Sequence, residues 1–467
     1  MLFNDVEIFA PLFDNSVDAL VPEHWANESL MILEENMVAA NLVHRDFEPI
    51  IAKYGDVVNT RKPSALAFKR KAVSDNVTVQ DAILTNVPVP LDQLAHVSIL
   101  IRDGEESKSF KNLAEEFIRP AMSGMAGGID RVVLGQYPQF IRNVAGSLGQ
   151  ISSTNVKGYM LDTRKVMNIN KATDGDRNLI WTPNAETEAL KLDLFTQANT
   201  VGDDGTALRK ALLGNKLNFY NYMAQNMGSV ATGNTEVHTY LINNASGYAK
   251  GTTTFAVDTG AVALGNNSFC VVDGDYTPLR IVSTVGGSTV TSITVAAPGL
   301  NKAVVNNAVV TVYTPGAVNL SGGYAAGYAK EIIYDTFTVD PQVGQMVSFG
   351  TSASNALYTI IAVDTSGKTI LLDRPLAAAI SNDDAINLGP PGEYNLAFEK
   401  NAIALVVRPL SAPLAGTGAR SAVVNYNGLS MRVVITYDGN KQGHLITFDV
   451  LFGVAVLDYL RGAILLG

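Results

Sequence analysis

Cysteine is almost absent from this chain, and so is any excess of positive charge. Its 467 residues include one cysteine, Cys270, which excludes an internal disulfide. The formal net charge is −10, so the chain lacks the global basic field with which a protein holds a polyanion. Any contact with nucleic acid must therefore be local.

Long apolar runs are also missing. The most apolar stretch, residues 445–466, is interrupted by Asp449, Asp458 and Arg461, so it is poorly suited to crossing a bilayer. Residues 1–5 lack the basic region of a signal peptide. We therefore expect no membrane segment, and a protein that is made and acts in a reducing cytoplasm.

The chain lacks the usual motifs of catalysis and cofactor binding. Its five histidines show no metal-ligand spacing, and no phosphate-binding loop or nucleophile elbow is present. Residues 258–261 resemble an aspartic protease loop, but such an enzyme needs a second carboxylate at an equivalent position. Asp364 does not occupy the position expected from the internal repeat described below, whereas Asp340 does. We expect no catalytic, cofactor-binding or metal-binding residue and no enzyme activity.

The most regular pattern runs from residue 76 to residue 137. Apolar and polar residues alternate around Val77, Val79, Leu94 and Ile101, which predicts half-buried strands in a long ribbon. An acidic turn follows, and apolar residues then recur at steps of three and four from residue 110 to 132. This stripe predicts one long helix, with a bend rather than a stop at Pro120.

Helices and strands alternate on both sides of this stretch. We predict a helix within residues 16–43, short strand and loop over 141–171, and helices over 181–195 and 203–213. Strands are predicted near the C-terminus at 403–407, 422–426, 431–437, 445–451 and 463–466.

Opposite charges flank the ribbon. Basic residues cluster before it, and acidic residues occupy the turn that ends it. One interpretation is a solvated strand edge that is protected by charge, and the other is a contact with an acidic neighbour. The candidate contact residues are Arg61, Lys62, Lys69, Arg70, Lys71, Asp103, Glu105 and Glu106.

The composition changes at about residue 233, where helical periodicity ends and Thr, Val and Gly dominate. Residues 247–250 (GYAK) recur at 327–330, and Phe255-x-Val257-Asp258 recurs as Phe337-x-Val339-Asp340. Asn307-Ala308 and 315–316 also match 384–385 and 391–392. The repeat predicts two tandem small β-barrels or sandwiches of about 70 to 80 residues each.

This order of segments resembles a tailed-bacteriophage major capsid protein, in the branch that carries an insertion domain. The resemblance rests on residues 77–133, 397–402 and 445–467. It implies an α+β fold with an N-terminal arm, an extended β-loop, a long spine helix and a mixed α/β axial domain, plus an inserted all-β region of two tandem small barrels. The expected ranges are 1–60 for the arm, 61–106 for the β-loop, 107–140 for the spine helix of the peripheral domain, 141–232 and 394–467 for the axial domain, and 233–393 for the insertion, with repeats at about 240–316 and 320–392.

The resemblance also implies a function. Copies of such a protein form pentamers and hexamers that close into an icosahedral shell around double-stranded DNA, which is held without sequence specificity. The implied partners are further copies, portal and scaffolding proteins and a decoration protein, and the implied location is the virion, after assembly in the host cytoplasm. Encapsulins, which are cellular compartments of the same fold, are the alternative. A β-rich hydrolase or adhesin would need a convergent polar site that the sequence does not contain.

Overall fold

The computed structural model describes residues 26, 29–33, 37–47, 51–62, 68–74, 76–77, 79–80, 85–102, 118–196, 213–230, 236–260, 264–286, 289–335, 337–350, 355–414, 418–426 and 428–467. Over these residues the protein is a mixed α/β structure that is rich in strands and has few helices. Residues 29–33 are helical, and the further helices of this part are α1 (Ala39–Leu42), α2 (Arg119–Leu134), α3 (Val156–Ile169), α4 (Pro183–Leu190) and α5 (Asp193–Thr196). Short 3-10 helices cover Tyr137–Phe140, Lys400–Ala402 and Tyr459–Arg461.

The strands fall into a body and an inserted region. The body strands before the insertion are β1 (Val57–Lys62), β2 (Thr85–Pro90), β3 (Gln93–Arg102), β4 (Val144–Gly146), β5 (Arg177–Trp181), β6 (Asn215–Lys216), β7 (Phe219–Met223) and β8 (Ser229–Val230). Those after it are β21 (Gly392–Glu399), β22 (Ile403–Arg408), β23 (Arg420–Tyr426), β24 (Leu429–Asp438), β25 (Gly443–Val456) and β26 (Gly462–Leu466).

A mixed sheet divides the body into two cores. Its order is β4-β26-β21-β5-β7-β6, with β8 beside β21, and only the β26–β4 and β5–β7 pairs are parallel. Alternate side chains of a strand point to opposite faces. Leu396 and Phe398 of β21 therefore enter the core that α2 covers, whereas Ala397 enters the core that α3 and α4 cover.

The second body sheet is built on the long strand β25. It has the order β22-β25-β24-β23, and β3 also pairs with β25. The register of β3 and β25 runs from Gln93 opposite Phe452 to Arg102 opposite Gly443. The C-terminal strands predicted from the sequence all lie within observed strands.

Helix α2 carries the N-terminal segment. The buried carboxylate of Asp130 accepts hydrogen bonds from the N–H groups of Val38 (2.7 Å) and Ala40 (3.0 Å), which begin α1. Burial raises the pKa of the Asp130 carboxyl above its usual range. The predicted helix from residue 110 can be followed only from Ile118, because residues 103–117 lie outside the described residues. The predicted bend at Pro120 lies at that boundary.

The inserted region leaves and re-enters the body at neighbouring points. Strand β8, just before it, pairs with the start of β21, with Val230 opposite Gly392. The first module consists of β9 (Glu236–Leu241), β10 (Thr254–Gly260), β11 (Phe269–Val272), β12 (Leu279–Val285), β13 (Val290–Val295) and β14 (Val309–Tyr313). The second consists of β15 (Gly316–Val318), β16 (Ile332–Asp335), β17 (Met346–Phe349), β18 (Tyr358–Asp364), β19 (Thr369–Leu372) and β20 (Ala385–Leu388).

Both modules have one topology. The first is a sheet of order β10-β13-β12-β11-β14-β9, and a bridge between Ile242 and Val257 joins its two ends. The second is a closed barrel that follows the corresponding order, β16-β19-β18-β17-β20-β15. Each module has its own buried cluster, whereas Phe269 and Met346 pack into the core of the body.

Around Tyr248 and Val304 the two modules repeat with a shift of 76 residues, so the expected pairing of residues 247–250 with 327–330 is wrong. Tyr248 bridges Val304 in the first module, and Tyr324 bridges Ile380 at the same place in the second. Tyr324, and not Tyr328, is therefore the counterpart of Tyr248. The second module has a similar Gly-Tyr pair four residues after the true one, which produced the false match.

The expected pairing of Phe255 with Phe337 is also wrong. Phe255 lies in β10, whereas Phe337 follows the end of β16 and its ring packs against Gly316. The tyrosine hydroxyls accept hydrogen bonds from the N–H of Ala256 in the first module and of Ile333 in the second, so β10 and β16 repeat with a shift of 77.

Two other matches lie close to the structural register. Asn307 and Asp383 both adopt the left-handed conformation, with φ of 60° and 65°, so the expected pairing with Asp384 is one residue too late. The match of residues 315–316 with 391–392 has the shift of 76 that the structure gives.

Three local predictions are wrong. Residues 141–171 contain the helix α3, which the sequence analysis expected to be strand and loop. The N-terminal helix is interrupted, because the chain is not helical at Met37 and Val38 between residues 29–33 and α1. The helix predicted over 181–195 is divided into α4 and α5. Residues 203–212 of the other predicted helix lie outside the described residues, and Leu213 is not helical.

Candidate subunit-contact surface

Strands β1 and β2 form a two-stranded extension that is anchored at one end. Val57 lies opposite Pro90, and Lys62 lies opposite Thr85. Near its base, Val89 and Leu91 are fully buried and belong to a small cluster with Val406 of β22 and other body residues. Arg61 and Lys62 therefore lie at the end of the extension that is farther from this anchor.

The loop that joins β1 to β2 carries exposed charge. Lys69, Arg70 and Lys71 are exposed, and so is Arg61. A two-stranded extension has no core of its own. These cations therefore belong to an extension whose anchoring cluster lies at its base.

The same loop exposes large apolar side chains. Phe68 is 87% exposed, Val73 103%, Val77 74% and Val79 81%. Alternation predicts Val77 and Val79 on a half-buried strand, but neither residue lies in a strand here. Alternation identifies an apolar face without saying what covers it, and no segment of the described chain covers this one. A segment that exposes several large apolar side chains is a candidate surface for association.

The acidic half of the predicted contact, Asp103, Glu105 and Glu106, lies outside the described residues. Arg102 precedes this turn and lies opposite Gly443. The base of the extension lies at the other end of β3, since the backbone of Pro90 approaches Gly453. At about 3.3 Å per residue, the length of β3 separates these two points by roughly 30 Å.

A polar cluster around Asp373 joins the second module to the end of α2. The carboxylate of Asp373, 1% exposed, accepts hydrogen bonds from the N–H of Thr359 (2.8 Å) and the side-chain amide of Gln136 (3.1 Å). Arg374 lies 3.4 Å from this carboxylate and stacks on the ring of Tyr358. Burial raises the pKa of Asp373 to about 6, although Arg374 and the hydrogen bonds oppose this shift.

The backbone at the end of α2 completes this junction. Gly135 accepts a hydrogen bond at its carbonyl from the Thr359 hydroxyl (2.8 Å), and the hydroxyl of Tyr137 donates to the carbonyl of Gly344 (3.0 Å). Burial raises the pKa of Tyr137 above its usual range, and the negative charge of Asp373 adds to this shift. No local sequence pattern marks this junction, because its members are spread over more than 200 positions.

The first module is joined to the body through a similar carboxylate. Asp275 is fully buried and accepts hydrogen bonds from the Thr277 hydroxyl (2.6 Å) and the N–H of Lys302 (2.8 Å). The ammonium group of Lys302 donates to the hydroxyl of Ser147 in the body. Burial raises the pKa of the Asp275 carboxyl.

The residues considered for catalysis have local roles. Asp364 ends β18, and its carboxylate accepts hydrogen bonds from the N–H groups of Ser366 (2.9 Å) and Gly367 (3.1 Å), which closes a turn. Asp258 lies within strand β10. Within the described ranges, no group of three or more His, Cys, Asp or Glu residues is arranged to hold a metal ion. No helix of the described residues is long and apolar enough to cross a membrane.

Comparisons with known proteins gave structural neighbours only. Neither the protein-family models nor the curated proteins contain a match. The structural neighbours are phage structures. The structure titled "Mycobacterium phage Che8" is 12% identical, with a TM-score of 0.41, and the match covers 92% of this chain and 90% of that one. The capsid structure of cyanophage P-SCSP1u is 9% identical (TM-score 0.42, 91% and 86% covered), and that of Staphylococcus phage Andhra is 9% identical (TM-score 0.39, 91% and 82% covered).

Proposed function

We propose that this chain is the major capsid protein of a tailed bacteriophage. The observation that carries the proposal is the extension β1–β2, whose loop holds Phe68, Val73, Val77 and Val79 almost fully exposed. A single copy leaves these groups in water, where each large side chain forgoes about 1.5 to 3 kcal/mol of burial free energy. A neighbouring copy that receives the loop would recover part of this free energy.

Two further features support a shell protein. The ribbon strand β3 is held along β25, and the helix α2 packs beneath the mixed sheet, which is the order of elements that the sequence resemblance implies. The body thus offers a broad, rigid unit from which the extension departs. Copies associate in closed symmetric sets when each one donates and receives the same element. We propose pentamers and hexamers that close into an icosahedral shell.

The inserted region fits the insertion-bearing branch of these proteins. Its ends meet where Val230 pairs with Gly392, so two modules can be added without disturbing the mixed sheet. We interpret the six-stranded first module and the closed second module as tandem barrels, and α2 as part of the spine helix. We place both modules on the outer face of the shell.

The contents and partners follow from charge and from the same resemblance. A chain with a net charge of −10 has little general affinity for DNA, which suits a container that must not adhere to its packaged polyanion. We propose double-stranded DNA as the content, held without sequence specificity. Portal, scaffolding and decoration proteins are the proposed partners, the virion is the proposed location, and the host cytoplasm is the proposed place of assembly.

Electron microscopy of the purified full chain tests this proposal. We expect closed shells of uniform size, formed with or without an added scaffolding protein. A chain that stays monomeric in light scattering across protein concentration, salt and scaffold conditions would overturn it.

An encapsulin-like compartment is the second candidate, because the body strands and α2 alone would serve it equally well. The content of native particles separates the two. Double-stranded DNA inside particles from infected cells supports the phage capsid, whereas particles that hold protein cargo and no DNA support the compartment.

A further inference from the structure

A cleft lies where the two inserted modules meet the body. Its volume is about 380 Å³, which is in the range of sites that hold small ligands. The body contributes Ile141, Arg142 and Val144, the second module contributes Asn355 and Leu357, and the first module contributes the rest of the lining. A ligand in this cleft would contact all three parts of the molecule.

One wall of the cleft is apolar. Val282 is 43% exposed, although it belongs to a strand of the first module. A ligand with an apolar portion would cover side chains that now face water. The apolar residues of the lining include Pro278, Val282, Ala297, Pro298 and Leu357.

Arg280 supplies a positioned cation at this wall. Its Nη1 donates to the side-chain oxygens of Asn267 (2.6 Å) and Asn355 (2.9 Å), one from each module. Both partners are neutral amides, so they fix the guanidinium plane without balancing its charge. Burial lowers the pKa of Arg280, which agrees with a cation that has lost water and gained no anion.

Arg142 adds a second cation to the same cleft. It is exposed and forms no hydrogen bond or ion pair within the described part of the chain. The described residues that line the cleft include no Asp or Glu. Two arginines therefore share a pocket without a carboxylate, in a chain that has more acidic than basic residues.

We propose that this cleft binds a carboxylate that is attached to an apolar body. With Nη1 held by two asparagines, the Nε–Nη2 edge of Arg280 remains for the parallel pair of hydrogen bonds that a carboxylate accepts. Arg142 adds attraction at the mouth, and the apolar wall takes the rest of the ligand. The carboxylate comes from a small organic acid or from a Glu side chain of a peptide. This inference is independent of the proposed shell, since it requires only a folded chain.

Isothermal titration calorimetry on the purified full chain tests the site with named probes. The first pair is hexanoate and hexanamide, and the second is acetyl-Leu-Glu-Val-amide and the same peptide with Gln. In each pair we expect the carboxylate to bind at least tenfold more tightly than the amide, because only the anion meets both arginines. The acid or the peptide that binds more tightly identifies the source of the carboxylate.

Three variants locate the binding. Arg142→Ala should weaken binding about threefold to tenfold. Arg280→Lys should weaken it about tenfold or more, because lysine keeps the positive charge but loses the planar pair of N–H donors. Arg119→Ala removes another exposed arginine, on α2, and should leave binding unchanged. Thermal melting of each variant shows whether the fold is intact, and if Arg280→Lys unfolds, Arg142→Glu supplies the second test.

Three results would contradict carboxylate binding in this cleft. Equal binding of the acid and the amide in both pairs, or equal loss of binding in Arg119→Ala and Arg142→Ala, would overturn it. Inorganic phosphate that binds more tightly than every carboxylate would overturn the ligand class. These results leave shell formation unaffected, so the two proposals fail separately.

Discussion

At the scale of single residues, Asp373 gives the protein a pH-dependent stability. Its folded pKa is about 6, above the usual 3.8, so the folded state binds this proton more tightly than the unfolded state. The stabilising contribution is complete below about pH 4 and is lost as the pH rises through 6. The difference between the two pKa values corresponds to about 3 kcal/mol in the free energy of unfolding.

We therefore expect Asp373→Asn to weaken the fall in stability between pH 4 and pH 7. The amide can still accept the hydrogen bond from the N–H of Thr359, and it carries no charge to bury. Urea unfolding at several pH values measures the effect. Asp383→Asn, a change at an exposed carboxylate, should keep the wild-type pH profile, and an unchanged profile in Asp373→Asn would refute the assignment.

Gly135 and Gly124 give a matched test of the junction between the end of α2 and the second module. A Cβ on Gly135 would lie 2.9 Å from the carbonyl oxygen of Arg131 and 2.9 Å from the Cβ of Asp373, whereas one on Gly124 would meet no atom within 4 Å. We expect Gly135→Ala to lower the free energy of unfolding by about 1 to 3 kcal/mol. Gly124→Ala should raise it by about 0.5 to 1 kcal/mol, because alanine favours the helix. Thermal melting compares them, and similar effects at both positions would contradict this packing.

At the scale of elements, the extension β1–β2 should affect association and not folding. Phe68→Ser with Val79→Ser removes two exposed apolar groups, so the monomer's free energy of unfolding should change by less than about 0.5 kcal/mol. Shell formation, measured by light scattering and microscopy, should fall strongly. Val305→Ser changes a residue on the first module that is 72% exposed, and it should leave assembly intact. Normal assembly of the double variant would remove the extension from the interface.

Helix α3 lies where strand and loop were predicted, and its narrow apolar stripe explains the error. Its buried residues, Val156, Met160, Thr163 and Met167, form a stripe only one residue wide at each turn. Such a narrow stripe is hard to separate from chance alternation. Tertiary contacts stabilise its end, since the buried Arg177 of β5 donates to the carbonyl of Ala172 (2.6 Å) just beyond α3.

At the scale of the whole molecule, the opposite charges beside the ribbon should act between copies. An exposed pair within one subunit is worth only about 0 to 1 kcal/mol, but a shell would repeat it at every contact, and charge sets the register in which a neighbour docks. We expect Glu105→Lys with Glu106→Lys to leave the melting temperature nearly unchanged and to block or misdirect shell formation. Adding Arg70→Glu and Lys71→Glu should partly restore shells.

A matched reversal on the insertion is the control for this charge exchange. Asp258→Lys with Glu331→Lys changes the same charge at exposed positions of the two modules, and shells should form normally. Normal shells from the Glu105 and Glu106 variant at low salt would rule out the charge contact. A folding defect in that variant would instead assign these acids to pairs within one chain.

The sequence by itself determined the elements whose patterns are local. The long apolar stripe, the C-terminal strands and the change to β structure near residue 233 could all be predicted, because periodicity and composition act over a few residues. A direct repeat was also visible, but its register was not, since a second Gly-Tyr pair at residues 327–328 lies only four residues after the true one.

Only the tertiary structure decided how distant residues combine. The junction of Gln136 with Asp373, the link of Lys302 to Ser147 and the cleft of Arg142 and Arg280 join segments that lie more than 100 positions apart. No local pattern marks such pairs, because each residue alone is typical of a surface or a turn. The burial of Val77 and Val79 was predicted wrongly for the same reason, since alternation creates an apolar face and only the folded neighbours determine whether that face is covered.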